Sequence, residues 1–218
     1  MKAALVLCAN GIKVYLYSEL QPTPVLSFTV RELGTTAGIV VTASHNPPEY
    51  NGYKVYWKDG GQIVSTIAGE LMEEINNIKD FSDIKCLDGC SLDSFDNLHL
   101  IGEEMDRVYF DKVKSLSLNP EAIKEAADLK IVYTPLHGSG NRRVLKEMGF
   151  ENVQVVPEQE KPDGSFPTVE YPNPEEEKSF NLALELAKKL NADLILATDP
   201  DCDRVGVMVK RAKGEYFK

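Results

Sequence analysis

Nothing in this 218-residue chain approaches the roughly 20 consecutive apolar residues that a membrane-spanning helix requires. Its opening, Met1-Lys2-Ala3-Ala4-Leu5-Val6-Leu7-Cys8-Ala9-Asn10, begins like a secretory leader. The apolar stretch is too short for one, no small-residue cleavage pattern follows, and Ile12 to Tyr17 continues as a strand. A cytoplasmic protein is expected. Basic residues are also in deficit, 24 Lys plus Arg against 34 Asp plus Glu for a formal charge of −10. That balance argues against nucleic acid or an anionic membrane as the main partner. A small anionic substrate stays compatible with it, given a local cationic pocket. Cysteine is sparse, at Cys8, Cys86, Cys90 and Cys202. Cys86 and Cys90 are spaced for a disulfide or half a zinc site, but no second Cys or His pair lies nearby, so free thiols in a reducing compartment are expected.

What is present suits one sizeable core or two modest ones, with 43% hydrophobic residues. The pattern predicts a helix over Ala3 to Cys8 capped by Asn10-Gly11, a strand over Lys13 to Tyr17, and an extended connection through Gln21-Pro22-Thr23-Pro24. A helix then runs from Val25 to Leu33. Gly38-Ile39-Val40-Val41-Thr42 reads as a strand buried on both faces. Asn51-Gly52 is a strong turn signal opening the strand Tyr53 to Trp57. A helix is expected over Thr66 to Ile78 with Ile67, Leu71 and Ile75 on one face. Residues 79 to 98 read as a surface excursion, followed by a helix from Glu103 to Leu118.

Asn119 as N-cap and Pro120 at the first helical position begin a new helix, and the chain divides here into 1–118 and 119–218. The second part repeats the alternation: strand Lys130 to Thr134, helix Asn141 to Met148, strand Val153 to Pro157. A proline-rich loop covers Lys161 to Pro174, followed by a helix Glu175 to Leu190 and strands Asp193 to Ala197 and Val205 to Val209. The fold class expected is α/β, two domains with mixed, largely parallel sheets.

Two loops carry chemistry. Asp199-Pro200-Asp201-Cys202-Asp203-Arg204 gathers three carboxylates between two apolar strands. At an effective dielectric constant of about 20, one such pair at about 4 Å costs about 4 kcal/mol, so a cation should compensate. Oxygen-only ligands favour Mg²⁺, with Mn²⁺ next. The spacing starts like an EF-hand, but Arg204 and Lys210 stand where that loop needs Gly and Glu. The plainer alternative is a solvated acidic turn in which Arg204 neutralises one charge. Its place at a strand's C-terminal end, where α/β proteins bind ligands, favours a metal site.

The second loop, Thr42-Ala43-Ser44-His45-Asn46-Pro47, also follows a strand. Ser44 is either a carrier hydroxyl or an ordinary turn cap, and His45 is a candidate for proton transfer or for binding a phosphate oxygen. A Ser-His-Asp hydrolase is not expected, because adjacent Ser44 and His45 should diverge and the Gly-x-Ser-x-Gly elbow is missing. Lys54, on the strand returning past this loop, is a candidate cation.

These residues resemble the α-D-phosphohexomutase family over essentially the whole chain. Gly38 to Trp57, with Thr42-Ala43-Ser44-His45-Asn46-Pro47-Pro48 and Asn51-Gly52-Tyr53-Lys54, looks like that family's phosphoserine loop, and Asp199 to Gly206 looks like its metal loop. Thr134-Pro135-Leu136-His137-Gly138-Ser139-Gly140 is similar to the branch of bacterial phosphoglucomutases and their phosphomannomutase and phosphopentomutase relatives. The resemblance implies that Ser44 carries the phosphoryl group, and that Asp199, Asp201 and Asp203 hold Mg²⁺ together with it. It further implies Lys54 as general acid/base, His45 and Arg204 in the same site with Arg204 binding substrate, and a sugar 1,6-bisphosphate activator. The substrate would be a small sugar phosphate.

Cys202 departs from the smaller residue usual there. The resemblance also implies that the first domain lacks its N-terminal part, that a sugar-reading and a phosphate-gripping domain are not in this chain, and that turnover by it alone is slight. The competing readings are a non-catalytic Mg²⁺- or phosphosugar-binding module, a phosphopentomutase and a metal-dependent phosphatase.

Overall fold

The computed structural model describes residues 1–85, 95–140 and 143–218. Cys86 and Cys90, and Asn141 at the expected start of a helix, lie outside the described residues. The first unit opens with α1 (Lys2–Ala9), whose Ala4 and Cys8 pack on Val14 of β1 (Val14–Tyr17), with Leu7, Leu16, Phe95 and Leu98 around them. Gly11, at φ +77, turns the chain between the two. Then come α2 (Thr23–Glu32), β2 (Ala37–Thr42), β3 (Gly52–Trp57), α3 (Ser65–Asn77), β4 (Leu98–Ile101) and α4 (Glu103–Ser115). β1 pairs in parallel with β4, and β2 pairs antiparallel with β3. Helix α2 lies close on β2, where a Cβ at Gly38 would sit 2.5 Å from Val30 Cγ2.

The second unit contains α5 (Pro120–Glu125), β5 (Ile131–Thr134), α6 (Arg143–Met148), β6 (Val153–Val155), α7 (Asn181–Leu190), β7 (Leu194–Thr198), β8 (Val205–Lys210) and β9 (Tyr216–Phe217). Asn119 caps α5 by accepting from Ala122 N at 3.2 Å. Left-handed Asn191 ends α7. The strands form one mixed sheet in the order β6-β5-β7-β8-β9, parallel through β6, β5 and β7 and antiparallel beyond. Because strand side chains alternate, Val132, Ile195, Ala197 and Met208 face Ala183 and Ala187 of α7 together with Phe180. Ile131, Tyr133, Val153 and Val155 build a second core on the opposite face, against Leu145 and Phe150. The parallel pair β5 and β7 ends side by side at Thr134 and Thr198, so the loops that follow them emerge together at the edge where such sheets bind ligands.

Several local expectations are corrected. Helix α2 begins at Thr23 rather than Val25, because Pro24 falls in its first turn, where a missing N–H costs nothing. Asn51-Gly52 is not the reversal: the chain turns within residues 44–50, and Gly52 opens β3 opposite Thr42, where a Cβ would stand 2.8 Å from the Thr42 oxygen. β2 is not buried on both faces: among the described residues it pairs with β3, and Val41 stays 59% exposed. Residues 177–180 form a 3₁₀ turn before α7 instead of its first α-helical turn. β4 begins at Leu98, the last residue of the stretch read as a surface excursion, and extends through three residues to which the sequence pattern assigns no element, in parallel pairing with β1.

Phe180 is fully buried at the centre of the core between α7 and the sheet. Phe180→Ala should therefore cost about 3–5 kcal/mol, measured as a loss of unfolding free energy in urea with the far-ultraviolet dichroism of the folded baseline retained.

Candidate active site

The serine loop is shaped by its own side chains. Thr42 Oγ1, at the end of β2, accepts a hydrogen bond from Ser44 N at 2.8 Å, and Asn46 N donates to the Ala43 oxygen at 3.0 Å. These bonds hold Ser44 at φ +53, in the left-handed region that a residue with a Cβ seldom occupies. That backbone turn swings consecutive side chains together, so Ser44 Oγ lies 3.2 Å from His45 Nδ1. The expected divergence of the pair is thus corrected. Lys54 follows on β3, opposite Val40, with its ammonium reaching out of the ribbon.

The acidic loop leaves β7 and returns into β8 through a left-handed Cys202 at φ +56. Asp199 and Asp201 are buried, at 0% and 4% exposed, whereas Asp203 is at the rim. Lys54 Nζ crosses from the first unit to Asp201 Oδ2 at 2.9 Å and to Asp203 Oδ2 at 3.4 Å. The structure therefore gathers Ser44, Lys54 and the three aspartates around one point.

Electrostatics divide these groups. Burial drives the Asp199 pKa up to about 8, and Asp201 and Asp203 add to the rise, against the Arg204 N–H that donates to Asp199 Oδ1 at 2.9 Å. Burial also acts to raise Asp201, but Lys54, Asp199 and the Ser44 hydroxyl outweigh it and hold that carboxyl below the usual value. For Lys54, burial acts to lower the pKa, and the contacts with Asp201 and Asp203 outweigh it, so the ammonium is held above its usual value. One lysine thus faces three carboxylates, one of which is neutral near pH 7.

The donor set fits a hard cation. The three aspartates offer oxygens all within 4.8 Å of one another. Asp199 Oδ2 and Asp201 Oδ1 are buried and no other group donates to them, so without a cation only the proton that Asp199 shares with Asp201 serves the two carboxyls. An unsatisfied buried carboxylate oxygen is costly, and a cation at these two atoms would satisfy both.

Sequence reasoning missed what holds this loop in place. Ser139 N and Oγ both donate to the Pro200 oxygen, at 2.7 and 2.9 Å. A Cβ at Gly138 would stand 2.2 Å from Pro200 Cα, so the loop after β5 is moulded against the acidic loop. Thr198 Oγ1 bonds the Tyr133 hydroxyl at 2.8 Å and accepts from Cys202 Sγ at 3.4 Å. Burial lifts that thiol to about 11, so Cys202 stays neutral and packs with this group. The Thr134 to Gly140 motif is the available signal, and in the sequence it serves only as a family marker. Thr23 is the other omission: its N–H donates to the Asp201 backbone oxygen at 2.8 Å. Arg204 is the candidate that the structure does not bring in. Its guanidinium pairs with Glu175 at 3.0 Å, while its backbone N–H serves Asp199 in the acidic loop.

Comparison with known proteins agrees across both units. Residues 1–81 match phosphoglucomutase/phosphomannomutase alpha/beta/alpha domain I, and residues 107–214 match domain II of the same family. A probable phosphomannomutase of Haemophilus influenzae is 40% identical over 224 residues, covering 98% of this chain and 43% of the relative. A Homo sapiens phosphopentomutase is 39% identical over 219 residues, covering 98% and 35%. A Staphylococcus saprophyticus phosphoglucomutase is 38% identical over 216 residues, covering 98% and 38%. The crystal structure of a Thermus thermophilus protein assigned as a phosphomannomutase superposes with a TM-score of 0.73 at 28% identity, over 97% of this chain and 44% of that one. The chain spans about two fifths of the length of these relatives. With two consecutive domains matched in the family's order, the chain belongs to the phosphoglucomutase/phosphomannomutase family.

Proposed function

We propose that this chain carries the phosphoserine and metal half of a sugar-phosphate mutase, an intramolecular phosphotransferase that interconverts sugar 1-phosphates and 6-phosphates through a bisphosphate. One observation supports this reading above others: Lys54, from the serine ribbon, touches two aspartates 147 and 149 positions away, Asp201 and Asp203. Relatives of similar identity are named for hexose and pentose phosphates. The proposal therefore extends to sugar-phosphate mutases as a class. The dividing line is placed at 118/119, after α4, which contacts both α2 and α6.

In this reading, Asp199, Asp201 and Asp203 hold one Mg²⁺. When bound, that ion neutralises charge on the phosphoryl group, which brings about −1.5 to −2 at pH 7. The protein groups supply the remainder. Attack of Ser44 Oγ on a bisphosphate forms the Oγ–P bond and breaks the sugar O–P bond. Lys54, protonated as its carboxylate partners keep it, donates a proton to the departing sugar oxygen. The Ser44 proton passes to His45 Nδ1, 3.2 Å away. In the opposite direction Lys54 accepts the proton of the attacking sugar hydroxyl, and His45 returns one to Ser44 Oγ. The Gly-x-Ser-x-Gly elbow is missing from the sequence, and a lysine with carboxylates surrounds the serine, which favours phosphoryl over acyl transfer.

The direct test is intact mass after incubation with glucose 1,6-bisphosphate and Mg²⁺. One added phosphoryl group is expected, absent in Ser44→Ala, with little glucose 1-phosphate isomerised by the 218-residue chain. No mass change with either ligand would point to a binding module instead. Steady release of inorganic phosphate would point to a phosphatase.

A second prediction follows from Asp199. Its pKa is about 8 folded against 3.8 as the ordinary value, so the folded state holds this proton more tightly. The resulting stabilisation is complete below the unfolded value and is lost as pH rises through about 8. In EDTA, the melting temperature should fall between pH 7 and pH 8.5. Mg²⁺, which replaces that proton, should restore it at pH 8.5, and Asp199→Asn should flatten the profile over this interval.

A further inference from the structure

Thr23 opens α2 between two residues that have no N–H, Pro22 and Pro24. A helix start leaves its first donors without intrahelical partners. Here Pro22-Thr23-Pro24 reduces them to one at these three positions. That single N–H donates to the Asp201 backbone oxygen at 2.8 Å. The Thr23 hydroxyl reaches Asp201 Oδ2 at 3.4 Å, the same oxygen that Lys54 holds at 2.9 Å. Thr23 is itself 4% exposed. Lys54 and Thr23, both of the first unit, thus converge on Oδ2, and neither reaches the buried Oδ1, which faces the other carboxylates of the loop.

We infer that Thr23 is a positioning residue for the metal site, one that sets the rotation of the Asp201 carboxylate so that Oδ2 stays with the first unit and Oδ1 is presented to the divalent ion. This rests on the metal reading above. Thr23 acts through Asp201: its N–H anchors the loop backbone, and its hydroxyl joins Lys54 in holding carboxylate oxygen Oδ2 on the first-unit side. A residue that merely filled space here would be replaced by valine without consequence, since valine has the same shape. The arrangement also ties metal affinity to the seating of α2 against the acidic loop, because the donor belongs to one unit and the ligand to the other.

The test is calorimetric titration of the 218-residue chain with Mg²⁺, for the wild type and for Thr23→Ser, Thr23→Ala and Thr23→Val. Each is paired with urea unfolding in EDTA. Loss of an outer-shell partner of a metal ligand weakens binding by about 10–100-fold, and the hydroxyl contact is long, so Thr23→Val and Thr23→Ala should bind on the order of tenfold more weakly. Thr23→Ser, which keeps the hydroxyl, should stay within about twofold of the wild type. The unfolding midpoint of Thr23→Val in EDTA should match the wild type. The Ser and Ala variants differ by the hydroxyl alone, so their comparison decides the matter even where valine disturbs folding. Equal Mg²⁺ affinity in Thr23→Ser and Thr23→Ala overturns the role of Thr23 and leaves the metal reading intact. A wild-type chain that takes up no Mg²⁺ overturns the metal reading, and this inference with it.

Discussion

The contact of the Lys54 ammonium with Asp201 and Asp203 is the interaction on which the site's organisation turns, because it joins a strand of the first unit to a loop of the second. Three carboxylates packed at the end of a buried strand repel one another, and no amount of local backbone adjustment removes that cost. The chain answers it in two ways. Lys54 offsets one of the two charges on Asp201 and Asp203, and Asp199, fully buried, is pushed up to a pKa of about 8. Beyond the proton that Asp199 shares with Asp201, nothing answers a pair of buried oxygens, Asp199 Oδ2 and Asp201 Oδ1. The physical consequence is an acidic cluster that favours a further positive charge.

Backbone strain is concentrated around the same point. Ser44 and Cys202 both occupy the left-handed region, as do Leu136 and His137 in the loop that braces Pro200. Each such residue costs about 1–3 kcal/mol. Three of them are secured by neighbouring bonds: Thr42 onto Ser44 N, Thr134 onto Leu136 N, and the Gln159 oxygen for His137 N. At Cys202 the backbone N–H donates to the Asp199 oxygen. In the two site loops the strain has a use. At Ser44 it turns the hydroxyl and imidazole toward one another, and at Cys202 it folds three aspartates into a span that one ion can bridge.

Much of the fold is legible in the sequence because periodicity and cap chemistry are local. Asn119 with Pro120 marks α5, and the apolar runs mark β5, β7 and β8. The elements that escape are those whose stability is borrowed. β4 exists because β1 pairs with it, and β9 because β8 does. β2 reads as buried from its β-branched residues, yet its pairing with β3 leaves Val41 in solvent. Reading proline as a breaker misplaces the start of α2, although at the first turn it does no harm.

For the site, the residue types and their spacing in sequence are enough to single out Ser44, Lys54, Asp199, Asp201 and Asp203, since carboxylates at every second position and a serine after an apolar strand are local facts. Which of them meet, and with what proton, was decided by tertiary packing. A pKa depends on burial and on neighbours brought from elsewhere in the chain. So does the direction of Arg204, which the fold spends on Glu175. The partners of the acidic loop, Ser139 on Pro200 and Thr23 on Asp201, lie 61 and 178 positions away in sequence. No local pattern encodes such contacts, because they exist only once β5 and β7 lie parallel and α2 points its first turn at the loop between β7 and β8.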